Sequence, residues 1–175
     1  MNYFQLFGLS EKFTLDNQKL SEVYQTLQKA AHPDRFAHAS NQEQLVAVQK
    51  SAMINDAYQT LKNPLKRAAY MLKLRGTEMP SEQNSFSDNS FLMRQMELRE
   101  MLAEVKFAED IDAAVFEINQ TLDSEFSLLF KALQVKLNEC SPSADKLAIE
   151  DLRKLKFYQK LHVELDRLED LLFED

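Results

Sequence analysis

Glycine is the residue that this sequence lacks most clearly, since Gly8 and Gly76 are the only two in 175 residues. Sheet proteins need glycine for their tight turns, so scarcity on this scale predicts long helices joined by few loops. Tryptophan is absent, proline occurs only four times, and the helix formers Leu, Glu, Lys and Gln are abundant. We therefore expect an all-α protein.

Cysteine is nearly absent as well. Cys140 is the only one, which excludes an intramolecular disulfide and any CxxC metal or redox motif. The three histidines, His32, His38 and His162, lie far apart in the sequence, which argues against a structural zinc site. We expect neither a bound metal nor a cofactor.

Long apolar runs are also missing. No stretch approaches the roughly 20 residues that a helix needs to span a bilayer. The N-terminal sequence MNYFQLFGLS has neither the basic segment nor the apolar run of a signal peptide. We therefore expect a cytoplasmic protein with no membrane partner.

Charge is divided unevenly along the chain, whose formal net charge is −7. Residues 1–75 contain 10 Lys+Arg and 6 Asp+Glu, giving +4, whereas residues 76–175 contain 11 and 22, giving −11. A basic first part and an acidic second part indicate two modules with different partners. The acidic part would repel phosphates, so we do not expect nucleic acid as the main ligand.

Residues 1–75 show the apolar spacings of three and four that predict helices. A short apolar segment at 3–9 is expected to form about two helical turns ended by Gly8. Asp16 can cap a second helix, which must end near His32 because a residue before proline is pushed out of the helical region. A third helix follows the polar stretch at 39–42. Its apolar positions are Leu45, Val48, Ala52, Ile54, Ala57, Tyr58 and Leu61.

Asn63 and Pro64 have the cap and first-position residues of a fourth helix, which Gly76 can end in a left-handed conformation. The polar sequence TEMPSEQNSFSDNS (77–90) indicates a linker. We place this linker at 76–87, between modules at 1–75 and 88–175. In the second module, helical patterns at about 88–107, 111–139 and 143–173 predict an up-down-up three-helix bundle, with Ser143 capping the last helix. The bundle-facing seam of that helix is Leu161, Leu165, Leu168 and Leu172.

The tripeptide His32-Pro33-Asp34 stands at the junction of the second and third helices. Pro33 fixes its own φ, lacks an amide donor and extends His32, so both flanking side chains should point outward from a stiff loop. Asp34 offers a carboxylate that can accept a bidentate arginine from a partner. Taken alone, the tripeptide fits two interpretations equally well. It is a binding loop, or its proline merely ends a helix and its aspartate makes a turn.

The motifs around this loop resemble the J domain in order and spacing over residues 1 to about 75. They are the short first segment, a helix bearing Tyr24 and Leu27, the loop itself and the run INDAYQTL (54–61). The sequences YFQLFGL (3–9), NPLKRAAY (63–70) and RKLKF (153–157) narrow the likeness to the HscB family, the J proteins of iron–sulfur cluster assembly, over nearly the whole chain.

This resemblance implies a co-chaperone rather than an enzyme. It implies that the loop His32-Pro33-Asp34, with Lys29 and Arg35 beside it, binds a specialised DnaK-type chaperone, HscA, and stimulates its ATP hydrolysis. The client delivered to that chaperone is the scaffold protein IscU. J-domain second helices usually carry a dense basic face, whereas this one has mainly Lys19 and Lys29. Electrostatic steering should therefore be weaker here.

The helix at 88–107 has apolar residues on two faces. On a wheel of about 100° per residue, its core stripe lies within about 120° and comprises Phe91, Leu98, Met101, Leu102, Val105 and Ala108. Leu92, Met93 and Met96 lie about 170° away, beside the acidic residues Glu97, Glu100 and Glu104. A helix that buries one face has no folding reason to carry three large apolar residues on the other.

Two readings of this second face are open. The helix is buried on both sides, or the three residues form an exposed apolar patch with an acidic rim, as at protein-binding sites. The HscB resemblance implies that these positions are the scaffold-binding surface and adds Phe157 from the last helix. By periodicity alone Phe157 fits core packing nearly as well, because it lies about 40° from Leu161 on the wheel.

Other classes of function fit less of the sequence. The alternative within the same class is a J-domain adaptor for a general DnaK-type chaperone with an unrelated client, and only the patch at 92–96 separates the two. An enzyme using His32 and Asp34 as an acid–base pair would lack a nucleophile at useful spacing, a phosphate-binding glycine loop and a metal cluster. A purely structural helical scaffold leaves the loop motif unexplained.

Overall fold

The computed structural model describes residues 1–81 and 86–174, which contain seven α-helices and no strand. The prediction of an all-α protein is confirmed. The chain divides into two compact units, Met1–Gly76 and Thr77–Asp175. Within the described ranges, none of the helices is both long enough and apolar enough to cross a membrane. Residues 82–85 of the predicted linker lie outside the described residues.

The first unit is a helical hairpin with a short helix at each end of its sequence. Its elements are α1 (Tyr3–Leu6), α2 (Asn17–Ala31), a 3-10 turn (Pro33–Phe36), α3 (Asn41–Lys62) and α4 (Pro64–Leu74). Helices α2 and α3 pack against each other, and α1 and α4 both pack on α3. Fully enclosed side chains from all four helices form the core: Phe4, Leu20, Ile54, Leu61 and Leu72.

Side-chain caps define where these helices begin. The Asp16 carboxylate accepts the amides of Gln18 and Lys19, and Asn63 caps α4 with Pro64 at its first position, as predicted. Gly76 has a φ of +86°, which confirms the left-handed stop. The segment at 3–9 forms one helical turn rather than two, because the chain leaves the helix at Phe7.

The start of α3 differs from the prediction. Ser40 and Glu43 form a capping box, so the polar stretch at 39–42 already enters the helix. Leu45 and Val48 were predicted as apolar positions of the helix, but they are 57% and 51% exposed, and Ala47 is buried instead. The reason is the helical angle: at about 100° per residue, Leu45 and Val48 lie about 180° and 120° from the buried Ile54, whereas Ala47 lies within about 20° of it. Ala52 was predicted on the same face and is exposed too, because it lies about 160° from Ile54.

The second unit is a three-helix bundle formed by α5 (Asn89–Glu104), α6 (Ile111–Glu139) and α7 (Pro142–Leu172), with a 3-10 turn (Val105–Phe107) after α5. Five of the six residues of the predicted core stripe of α5 are confirmed, since Phe91, Leu98 and Val105 are buried and Met101 and Leu102 pack against them. The sixth, Ala108, follows the 3-10 turn and does not belong to this cluster. The predicted seam of α7 is confirmed as well. Leu161 and Leu165 are buried, and Leu168 and Leu172 pack on the same cluster.

At the junction between α6 and α7, a residue other than glycine takes the left-handed conformation that usually ends a helix. Cys140 takes the left-handed conformation, with a φ of +54°, and ends α6. The hydroxyl of Ser141, not Ser143, accepts the Ala144 amide and caps α7. The predicted cap was two residues too late because Pro142 fits the first helical position, where its missing N–H costs nothing.

Candidate protein-interaction sites

The loop His32-Pro33-Asp34 joins α2 to the 3-10 turn of the first unit. His32 has φ −61° and ψ 129°, the extended conformation that a following proline imposes. The chain then tightens into the turn Pro33–Phe36. The side chains of His32 and Asp34 are 55% and 92% exposed, so both are accessible to a partner.

The two exposed side chains are also coupled to each other, which the sequence did not reveal. The Asp34 amide donates to His32 Nδ1 at 3.2 Å, and an Asp34 carboxylate oxygen lies 3.6 Å from the same nitrogen. A neutral imidazole whose Nδ1 accepts a hydrogen bond carries its proton on Nε2. The loop therefore presents a donor on His32 and an acceptor on Asp34 side by side.

The cations predicted beside the loop have different surroundings. Arg35 Nη1 donates to the Lys29 carbonyl oxygen at 3.2 Å, which satisfies one of the acceptors at the end of α2. Arg35 therefore helps to hold the loop on the helix as well as carrying charge. The Lys29 side chain is exposed.

Polar and aromatic contacts fix α2 to α3 along the hairpin that carries the loop. The rings of Tyr24 and Tyr58 stack with centroids 4.0 Å apart, and the Tyr24 hydroxyl donates to Asn55 Oδ1 at 3.2 Å. The Ser51 hydroxyl donates to Gln28 Oε1 at 2.8 Å, and the Gln28 amide donates to the Ser51 carbonyl oxygen. A rigid base of this kind lowers the entropy that binding through the loop would cost.

The second apolar face of α5 lies on the surface of the second unit. Met93 and Met96 are 64% and 67% exposed. Leu92 is half-buried and does not belong to the buried cluster of this unit. Within the second unit, the two methionines are therefore not buried against another helix, and the face forms an apolar patch, Leu92, Met93 and Met96.

An ion-paired network that the sequence did not reveal holds the helix below this patch. Arg94 bridges Glu97 on its own helix, at 2.7 Å, and Glu125 on α6, at 2.6 Å. The Tyr158 hydroxyl of α7 donates to the other oxygen of Glu125 at 2.7 Å. Burial, together with this hydrogen bond to a carboxylate, raises the pKa of Tyr158 well above its ordinary value, so the phenol stays protonated as a donor. All three helices are thus joined through one carboxylate.

The three predicted rim carboxylates are consequently not equivalent. Glu97 is engaged by Arg94. Glu100 and Glu104 are exposed and make no ion pair with any residue in the described part of the chain. These two carry the unpaired negative charge beside the patch.

Phe157 lies at the border between core and surface. Its half-buried ring packs edge-on against Phe91, with centroids 5.7 Å apart, and belongs to the margin of the bundle core. The guanidinium of Arg99 lies 5.5 Å from the ring centroid, and Arg99 also pairs with Glu164 at 3.1 Å. The packed side of the ring therefore belongs to the margin of the core, while the role of its exposed side in client binding stays a prediction.

Comparison with known proteins assigns a family to each unit. Residues 2–70 match the sequence model described as DnaJ domain, and residues 87–166 match the one described as HSCB C-terminal oligomerisation domain. The chain is 59% identical to the "Co-chaperone protein HscB homolog" of Colwellia psychrerythraea, covering 100% of both chains. It is 50% identical to the homolog of Aeromonas salmonicida, covering 99% of both.

Solved structures agree with these sequence matches. Chaperone HscB from Vibrio cholerae superposes with a TM-score of 0.90 at 46% identity, covering 99% of this chain and 100% of that one. Human co-chaperone protein HscB superposes with a TM-score of 0.88 at 31% identity, covering 97% of this chain and 82% of that one.

Proposed function

The chain belongs to the HscB co-chaperone family, and from this premise we propose that it binds an iron–sulfur scaffold protein of the IscU type and delivers it to a specialised DnaK-type chaperone of the HscA type. It stimulates the ATPase of that chaperone and thereby aids the maturation of iron–sulfur proteins in the cytoplasm. It acts by docking and catalyses no reaction of its own.

The observation that carries this proposal is the placement of two different exposed sites on two separate compact units. The loop His32-Pro33-Asp34 belongs to the unit Met1–Gly76, whereas the patch Leu92, Met93 and Met96 belongs to Thr77–Asp175. Each site offers a different chemistry, a donor–acceptor pair on one unit and an apolar face with unpaired carboxylates on the other. A molecule that must hold two unlike proteins at once needs this arrangement.

The chaperone-binding role falls to the loop together with Lys29 and Arg35. The exposed carboxylate of Asp34 can accept a bidentate arginine of the chaperone, and the His32 Nε2 proton is free to donate beside it. The client-binding role falls to the patch, with Glu100 and Glu104 more available at its rim than Glu97. Phe157 extends this surface towards α7.

The experiment that tests the loop is single-turnover ATP hydrolysis by the HscA-type chaperone. His32→Gln should abolish stimulation, because the amide cannot reproduce the imidazole that pairs with the Asp34 backbone. His38→Gln is the matched control, since His38 is another exposed histidine of the same connection, and it should stimulate normally. Both variants should keep the wild-type circular dichroism spectrum. A normally stimulating His32→Gln protein would refute the assignment of the loop.

Repeating the same assay with DnaK distinguishes this proposal from the alternative, a J-domain adaptor for a general DnaK-type chaperone. A specialised co-chaperone stimulates the HscA-type chaperone at lower concentrations than DnaK. The sparse basic face of α2 fits a dedicated partner, because Lys19 and Lys29 offer little electrostatic steering towards chaperones in general.

A further inference from the structure

A cleft of about 390 Å³ opens between α5 and α7 beside the proposed client patch. Its floor and walls include two aromatic rings, one amide and three cations: Phe86, Gln95, Arg153, Lys156, Phe157 and Lys160. Of these, only Phe157 belongs to the client surface proposed above. The cleft is therefore an additional surface of the second unit.

The charge of this cleft is opposite to that of the unit in which it lies. Residues 76–175 have a formal charge of −11, but Lys156 and Lys160 stand one helical turn apart on the same cleft wall. Both lysines are exposed, and neither forms an ion pair with a residue in the described ranges 1–81 and 86–174. The neighbouring Lys154 differs, because it is paired with Asp88 at 2.9 Å. Two unpaired cations thus lie on an otherwise acidic body.

Aromatic surface lines the cleft between these cations. The Arg153 guanidinium stacks over the Phe86 ring at 4.3 Å from its centroid and pairs with Glu150 at 3.2 Å. Arg99 approaches the Phe157 ring from α5. Rings held by cations in this way offer apolar area without moving, which keeps the entropic cost of binding low.

The cleft and the acidic rim border the apolar patch on opposite sides. On α5, Gln95 and Arg99 lie within about 60° of Leu92 on the side towards α7. Glu104 lies about 120° from Leu92 in the other direction. The patch is therefore flanked by positive charge on the α7 side and by negative charge on the other.

We propose that this cleft receives an acidic segment of the client protein that also carries an apolar side chain. Carboxylates of the segment pair with Lys156 and Lys160, and the apolar side chain packs on the rings of Phe86 and Phe157. This inference rests on the proposed client-binding function and adds to it the orientation in which the client binds. A partner with one acidic and one basic edge fits the two flanks in a single orientation, because the reversed orientation places like charges together.

The test is calorimetric titration of the full chain with the IscU-type scaffold at about 50 mM and about 500 mM NaCl. Lys156→Glu/Lys160→Glu should weaken binding about tenfold at the lower salt and about twofold at the higher, because exposed charges are screened. Lys156→Gln/Lys160→Gln should lie between wild type and the reversal variant. Lys131→Glu/Lys146→Glu is the control, since it changes the net charge equally at exposed lysines of α6 and α7 that do not line the cleft.

A second probe examines the cleft without the client. A fluorescein-labelled peptide of alternating glutamate and phenylalanine should raise its anisotropy with the wild-type and control proteins, and much less with Lys156→Glu/Lys160→Glu. If the scaffold binds wild type and the reversal variant equally, the inference is overturned while the proposed function stands. If the scaffold does not bind wild type at all, both are overturned. If the peptide binds all variants alike, the cleft does not select acidic segments.

Discussion

Replacing Leu92, Met93 and Met96 with alanine should remove client binding at little expense of stability. Met93 and Met96 are 64% and 67% exposed, and substitutions at such sites usually change the free energy of unfolding by less than about 0.5 kcal/mol. Leu92 is half-buried, so its truncation should cost about 1 kcal/mol, below the roughly 2–5 kcal/mol of a fully buried leucine. We expect a total loss of stability of about 2 kcal/mol or less.

The expected loss of affinity is larger. Central apolar anchors often cost about 2 kcal/mol or more each when they are truncated in an interface. Two such anchors among the three residues would weaken binding by about 4 kcal/mol, which is about a thousandfold in Kd. A loss of binding free energy that exceeds the loss of unfolding free energy indicates that the three residues belong to an interface rather than to a core.

The assay combines urea denaturation with calorimetric titration against the IscU-type scaffold. Leu128→Ala/Val135→Ala/Leu147→Ala is the matched control, because these apolar residues of α6 and α7 are 69%, 67% and 58% exposed. The control should bind the scaffold as wild type does. A loss of unfolding free energy above about 6 kcal/mol for the patch variant would mean that three side chains had left a packed core. That result would refute the two-faced description of α5.

Three other outcomes follow from the structure. In stopped-flow measurements, Glu100→Gln/Glu104→Gln should slow association with the scaffold and flatten the salt dependence of the association rate. Glu97→Gln should have a smaller effect, because Arg94 already pairs with the Glu97 carboxylate. Equal effects of the two variants would contradict this expectation. Ser141→Ala should lower the free energy of unfolding by about 1 kcal/mol while Ser143→Ala changes it little, because only Ser141 caps α7. Residues 1–75 and 88–175 expressed separately should each give a cooperative, helical melt, and halves that unfold when separated would refute two modules.

Sequence patterns predicted most of the fold because the caps and apolar periods agree with each other. Asp16, Asn63 and Gly76 were identified correctly since each depends on local backbone chemistry alone. The pattern failed where a local spacing was followed without the phase of the whole helix. Leu45 and Val48 have the spacing of core residues, but they lie about 180° and 120° from the buried Ile54 around the helix.

The sequence predicts which residues form the candidate sites better than it predicts the contacts that those residues make. The outward loop and the second apolar face of α5 both follow from residue type and helical angle. The network joining Arg94, Glu125 and Tyr158 does not, because it joins atoms whose distances depend on the three-dimensional packing. Long-range polar contacts leave no periodic signal in a sequence.

The central claim is that one chain couples a client to a chaperone through two sites. The most direct test measures ATP hydrolysis by the HscA-type chaperone as the concentration of the IscU-type scaffold is raised. The full chain is compared with an equimolar mixture of residues 1–75 and residues 88–175. Covalent linkage raises the effective concentration of one site near the other, so the full chain should reach half-maximal stimulation at a much lower scaffold concentration than the mixture. Identical curves for the full chain and the mixture would contradict the coupling of client and chaperone by this molecule.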